Sequence, residues 1–107
     1  MKAEALKGHL DMLLLTAVRG RPIHGYAIAD ALRTRSGGAF DLPEGTLYPA
    51  LHRLERAGLM ASRWSEVNGR RRRVYQLTSK GRRAVMQHQG EWHTFARAVH
   101  AVIEEPA

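Results

Sequence analysis

At 107 residues the chain has the length of one domain with a real core and is too short for two. Seventeen Lys and Arg against ten Asp and Glu give a formal charge of +7, which favours a polyanionic partner and disfavours an acidic or membrane-spanning reading. No cysteine is present, which excludes a disulfide framework, a thiolate metal site and a cysteine nucleophile, and suits a reducing compartment.

The first residues, Met1 to Gly8, lack the long apolar stretch of a secretory leader, and Leu13-Leu14-Leu15 is far shorter than the ~20 residues of a membrane span. A cytoplasmic, soluble protein without membrane contact is expected. Leu6, Leu10, Leu13, Leu14 and Ala17 recur at helical spacing, and Gly20-Arg21-Pro22 stops that helix near Arg19. A second helix is predicted from about His24 to Arg35, with Ile28, Ala31 and Leu32 toward one side, before Ser36-Gly37-Gly38 breaks the pattern.

In a third helix Leu47, Leu51 and Leu54 share one face, which turns Pro49, His52, Arg53 and Arg56 outward and leaves Thr46 and Tyr48 at the flanks. Its start is open. Pro43 suits a first helical position with Leu42 or Asp41 at the boundary, and Pro49, lacking an N–H for Gly45, should bend the early turns. Gly58 ends the helix as a C-terminal cap would. Leu59 to Ser65 then reads as a strand, Asn68-Gly69 as a tight hairpin turn, and Val74 to Leu77 as the returning strand. Between turn and strand stand Arg70, Arg71, Arg72 and Arg73, a run whose self-repulsion an anion such as a phosphate backbone would relieve.

Thr78 is a plausible N-cap for the last helix, in which Val85, His88, Trp92, Phe95, Val99 and Val102 recur in steps of three and four. A seam this regular on a small domain is most simply buried against a second copy, with Leu6 and Leu10 of the first helix in the same interface; the alternative is that the helix folds back on the first helix of its own chain. Gly90 lowers helix propensity there by ~1 kcal/mol against Ala, so the helix needs outside support.

Three helices, a hairpin and a final helix predict a mainly α fold with a small β-hairpin: a winged helix-turn-helix over residues 1–77 and a C-terminal dimerisation helix over 78–107, within one compact unit. Double-stranded DNA is the partner this layout implies. Thr46, Tyr48, Pro49, His52 and Arg53 are the candidate base and phosphate contacts of the reading helix, and Arg70 to Arg73 the phosphate or minor-groove contacts of the wing. Tyr48 could equally pack its ring in the core with the hydroxyl outside. A protein-interaction adaptor or an RNA-binding accessory protein are the rival readings.

Six histidines show no HxxxH or HExxH spacing, so neither metal nor cofactor is expected, and no nucleophile elbow, phosphate loop or tuned carboxylate pair points to an enzyme. Trp92 is either interface filling or the wall of a pocket for a flat aromatic effector.

The chain resembles the PadR family of transcriptional regulators in its short form with a single C-terminal helix. The resemblance runs from Leu6 to about Ile103, through Leu6-Lys7-Gly8-His9-Leu10-Asp11, His24-Gly25-Tyr26, Gly45-Thr46-Leu47-Tyr48-Pro49-Ala50-Leu51, Arg53-Leu54-Glu55, Gly58-Leu59, Arg72-Arg73-Val74-Tyr75 and Leu77-Thr78. It implies a dimeric repressor at inverted-repeat operators, often released by a small molecule or stress signal. Thr46, Tyr48 and Pro49 match the reading-helix signature, and Arg72 and Arg73 the wing strand. Ala27 and Pro43 depart from it, standing where a glutamate and a helix-capping serine are usual.

Overall fold

The computed structural model describes residues 8–104. Helix α1 spans Leu10–Val18, strand β1 Ile23–His24, α2 Gly25–Arg35, α3 Glu44–Arg56, β2 Met60–Val67, β3 Arg70–Leu77 and α4 Ser79–Ile103. The predicted helices and hairpin are all present. Leu6 lies outside the described residues, so its assignment to an interface is not addressed by the fold.

The leucine faces read from the sequence converge on one core. Leu14, Leu15 and Val18 of α1 meet Ile28 and Leu32 of α2 and Leu47, Ala50, Leu51 and Leu54 of α3, closed by Met60, Tyr75 and Leu77 of the sheet and by Val85 of α4. Burying a side chain of this size contributes ~1.5–3 kcal/mol, so this layer carries most of the stability of the helical body. Among the described residues no helix is long and apolar enough to cross a membrane.

Helix ends are fixed by local chemistry. His24 caps α2, its Nδ1 accepting from Ala27 N–H at 3.3 Å, and Thr78 caps α4, its Oγ1 accepting from Gly81 N–H at 3.0 Å, contacts worth ~1 kcal/mol each. The start of α3 falls one residue after the expected one. Pro43 is the cap, with extended backbone at φ −69° and ψ 156°, and its carbonyl accepts from Thr46 and Leu47 at 2.9 and 3.0 Å. Pro49 stands inside the helix, which continues to Arg56, and the N–H it lacks would have bonded to the carbonyl of Gly45, an exposed residue. At the other end Gly58 takes φ +78°, and Leu59 N–H bonds back to the Leu54 carbonyl at 3.0 Å, a left-handed closure that suits glycine.

The sheet is antiparallel with strand order β1-β3-β2. The hairpin is longer than its apolar pattern suggests, with all four arginines paired inside β3 and not in a loop: Arg70 faces Val67, Arg71 Glu66, Arg72 Ser65 and Arg73 Trp64. Asn68 and Gly69, at φ +52° and +76°, form the turn that the dipeptide predicts. Strand β1 was not legible in the sequence. Its two residues pair Ile23 with Tyr75 and His24 with Val74, tying the start of α2 to the returning strand.

The root of α4 is held to the turn between α3 and β2. Thr78 Oγ1 donates to the Gly58 carbonyl at 2.6 Å, Lys80 Nζ to that of Ala57 at 2.9 Å, and Thr78 N–H to that of Leu59 at 3.2 Å. The approach is so close that a Cβ at Gly81 would stand 2.0 Å from the Leu59 oxygen.

Candidate nucleic-acid interface

Helix α3 presents the residues expected to read a groove. Its buried stripe turns Tyr48, Pro49, His52 and Arg53 to the exposed side, with Thr46 half-buried at the edge. Both readings of Tyr48 hold in part: the ring packs on α2 and yet remains 38% exposed. A Cβ on Gly25 would lie 2.7 Å from Tyr48 Cε1 and 3.0 Å from its hydroxyl, so the glycine of His24-Gly25-Tyr26 is the seat of this ring. Burial, then the Glu44 carboxylate and Tyr26, push the Tyr48 hydroxyl above its ordinary range against the opposing pull of Arg72, so it stays a neutral donor.

A groove of about 260 Å³ runs beside this ring, lined by His24, Gly25, Tyr26, Tyr48 and Arg70 to Arg73. Every polar side chain on its wall is a phenol, an imidazole or a guanidinium, a set that donates to anionic oxygens. Tyr26, 61% exposed, belongs to this wall, and sequence reasoning passed over it although the His-Gly-Tyr signature was in view. The groove shares His24, Tyr26, Tyr48, Arg70 and Arg72 with a broader trough of about 800 Å³ that continues along α2 to the start of α3. Asp30, Asp41 and Glu44 lie on that trough, Asp30 already paired with Arg33.

Strand alternation divides the arginine run, since cross-strand partners share a face: Arg72, with Arg70 two residues before it, stands on the side of Ser65, and Arg71 and Arg73 stand with Glu66 and Trp64. Arg72 Nη1 lies 3.3 and 3.4 Å from the two nitrogens of His24. Partial burial first and the Arg72 charge second hold the His24 imidazole below its usual pKa, keeping Nδ1 free to accept in its cap. On the other face Arg71 and Arg73 sit 4.8 and 5.2 Å from the ring of Trp64, a residue that is 55% exposed. The sequence pattern hid Trp64 because a tryptophan in a strand reads as packing; its partners come from register alone.

Two expected contacts have carboxylate partners within the chain. Arg53 pairs with Asp11 of α1, and Arg73 reaches Glu55 of α3 at 3.7 Å. Glu55 also lies beside Tyr75, whose hydroxyl is pushed up by burial and by that carboxylate.

The seam on α4 divides in two. Val85 is a correction to its expected place in a subunit interface: at 1% exposure it fills the core of its own chain and has no surface to offer a partner. Leu10 packs against that same core and is half-buried, so the early part of the seam serves the fold-back on α1. Farther along, Trp92 is 40% exposed, its ring edge-on to His9 at 5.4 Å and tilted to Phe95 at 6.0 Å. A shallow pocket of about 230 Å³ lies there, lined by Gly8, His9, Met12, His88, Glu91, Trp92 and Phe95. Phe95 and Val102 are exposed, while His88 and Val99 are half-buried.

Comparison with known proteins agrees with this geometry. Residues 14–87 match the model of the transcriptional regulator PadR-like family. The transcriptional regulator Rv3488 of Mycobacterium tuberculosis is 42% identical over 77 residues, which cover 72% of this chain and 69% of that protein. Among solved structures, a PadR family transcriptional regulator from Eggerthella lenta superposes with a TM-score of 0.81 at 32% identity, covering 96% of this chain and 88% of that one. Bacillus subtilis PadR, solved in complex with operator DNA, superposes at 0.69 with 20% identity over 77% of this chain and 47% of its own, a likeness of fold.

Proposed function

The chain belongs to the PadR-like family of transcriptional regulators, and we propose that it works as a homodimeric repressor that occupies an inverted-repeat operator in double-stranded DNA. The observation that carries this reading is the groove walled by Tyr26, Tyr48 and the Arg70 to Arg73 run beside the exposed face of α3. Phosphate oxygens suit such a wall, and a helix of thirteen residues with a polar outer face suits a major groove. Residues 1–77 read DNA and 78–107 pair the subunits, so that two copies of α3 meet successive major grooves about one helical turn apart.

Within this division, Tyr26, Tyr48, Arg70 and Arg72 grip phosphate, while Thr46, Pro49 and His52 face base edges. Arg53 and Arg73 carry less of the contact, because Asp11 and Glu55 already meet their charge. Exposed Phe95 and Val102, with Trp92, are the surface that a second copy would cover, and a flat aromatic effector between two Trp92 side chains would release the operator.

Selection from a random duplex pool tests the proposal. Enrichment of a palindrome is expected; an adaptor would enrich no duplex, and an RNA-binding protein would prefer single-stranded or structured RNA.

A further inference from the structure

One line of contacts in the wing is left over when the phosphate-facing groups are accounted for. Arg73 Nε donates to Ser62 Oγ at 2.8 Å, and Ser62 Oγ donates its own proton to Glu55 Oε2 at 2.7 Å. The Arg73 guanidinium closes the triangle, Nη2 standing 3.7 Å from the same carboxylate oxygen. Ser62 thus spends its one proton on Glu55 and accepts from Arg73, so its hydroxyl fits only between these two partners. All three residues are half-buried, which protects their contacts from solvent better than a pair on the open surface.

Their positions give the triangle a mechanical meaning. Glu55 lies in the last turn of α3, Ser62 near the start of β2, and Arg73 in the returning strand, so the contacts span the bend where the chain leaves the reading helix and enters the wing. From Arg73 the line continues outward: its guanidinium rests 5.2 Å from the Trp64 ring, and Arg71, two residues nearer the tip, rests 4.8 Å from it. Cation–π contacts of this kind contribute ~0.5–1 kcal/mol at exposed sites.

We infer that Glu55, Ser62 and Arg73 form a brace that fixes the angle of the wing against α3, making Arg73 a positioning residue that acts through Trp64 and not a phosphate ligand. This rests on the DNA-binding reading proposed above. A wing held at one angle places its tip at one distance from the groove that α3 enters, so the brace favours DNA on which both contacts fit together. Without it, the wing still meets phosphate, but no longer in register with the helix.

Ser62 decides the matter because it carries no charge. Two duplexes serve as probes: the one enriched by selection from the random pool and a scrambled duplex of the same composition. Ser62→Ala should lower affinity for the selected duplex about tenfold, while affinity for the scrambled one stays within about twofold. Ser62→Thr, which keeps the hydroxyl in a strand, should restore the difference. Arg73→Gln should leave the salt slope unchanged, whereas Arg72→Gln should reduce it by about 1.

A second readout needs no DNA. In Trp92→Phe protein Trp64 is the sole tryptophan, and its fluorescence anisotropy should fall on adding Ser62→Ala or Glu55→Gln but not Arg72→Gln. The inference is overturned if Ser62→Ala matches its parent in both duplex discrimination and Trp64 anisotropy. It is equally overturned if Arg73→Gln removes about 1 from the salt slope and leaves Trp64 unmoved. A parent chain that selects no duplex would sink the DNA-binding reading and the role assigned to the brace, and the Trp64 signal would still report separately whether the triangle holds the wing.

Discussion

The arginine-bearing end of the molecule and the far half of α4 differ in how far the chain satisfies its own side chains. At the first, Arg72 has His24 and Arg71 rests on Trp64, while Arg53 and Arg73 have their charge met by Asp11 and Glu55 and are spent within the chain. At the second, Phe95, Val102 and Ile103 stay 57, 78 and 72% exposed. The contrast teaches what each end can bind. A guanidinium ordered by an uncharged neighbour, as Arg72 is by His24, loses less entropy on meeting a charged lattice, while bare aromatic and aliphatic groups on one helix gain only from another apolar surface.

The comparison breaks first at the tail. Trp92→Arg should convert dimers into monomers in sedimentation, and operator affinity should fall by ~10²–10⁴ because two half-sites are no longer gripped together. An intact dimer would return α4 to a purely intramolecular role. Next comes Gly25→Ala, whose methyl would drive against the Tyr48 ring; a loss of ~1–3 kcal/mol in thermal unfolding is expected. An unchanged midpoint would mean that the ring moves aside freely and is no fixed part of the groove. Third, Arg70 and Arg72 replaced by alanine should weaken binding to all duplexes alike and lower the salt slope by about 1 for each phosphate that is no longer neutralised. Changing His52 should instead alter base preference, by ~1–3 kcal/mol for a bidentate contact, and equal losses on every sequence would reassign it to phosphate.

The smallest expected effect is one of pH. The folded state holds His24 below its ordinary value of 6.5, so the unfolded chain binds the proton first, and stability contributed by this group is complete above about 6.5 and lost as pH falls through the folded value. Protonation turns Nδ1 from acceptor to donor, which ends the cap on α2, and sets a second charge beside Arg72. Unfolding midpoints taken across pH 5–8 should therefore slope less in His24→Asn, which caps without titrating, than in the parent. Equal slopes would assign the acid sensitivity to other groups.

The sequence was most readable where periodicity and turn chemistry act within a few residues. The leucines of α1 and α3, Gly58, Asn68-Gly69 and the Thr78 cap all lie where those rules put them. Readings that depend on distant partners fared worse. Strand β1 is two residues long and exists only because β3 lies beside it. Apolar spacing in α4 marks a seam but does not say which surface covers it, which is why Val85 sits in the core of its own chain. The arginine run could be counted, but its split between a His24 side and a Trp64 side follows from the register across the hairpin. Membership of a family of transcription regulators fits the absence of an enzyme's signatures in the sequence.

Three working parts spring from one knot of backbone. The carbonyls of Ala57, Gly58 and Leu59, between the reading helix and the first wing strand, are the same atoms that anchor Thr78 and Lys80 at the foot of α4. With no room for even a methyl at Gly81, α4 bears directly on the Leu59 carbonyl, so a tilt of α4 would be felt where β2 begins. On the proposed pairing of two copies through Trp92, ~16 Å along the helix from Gly81, a change at that seam would have the shaft of α4 to travel along.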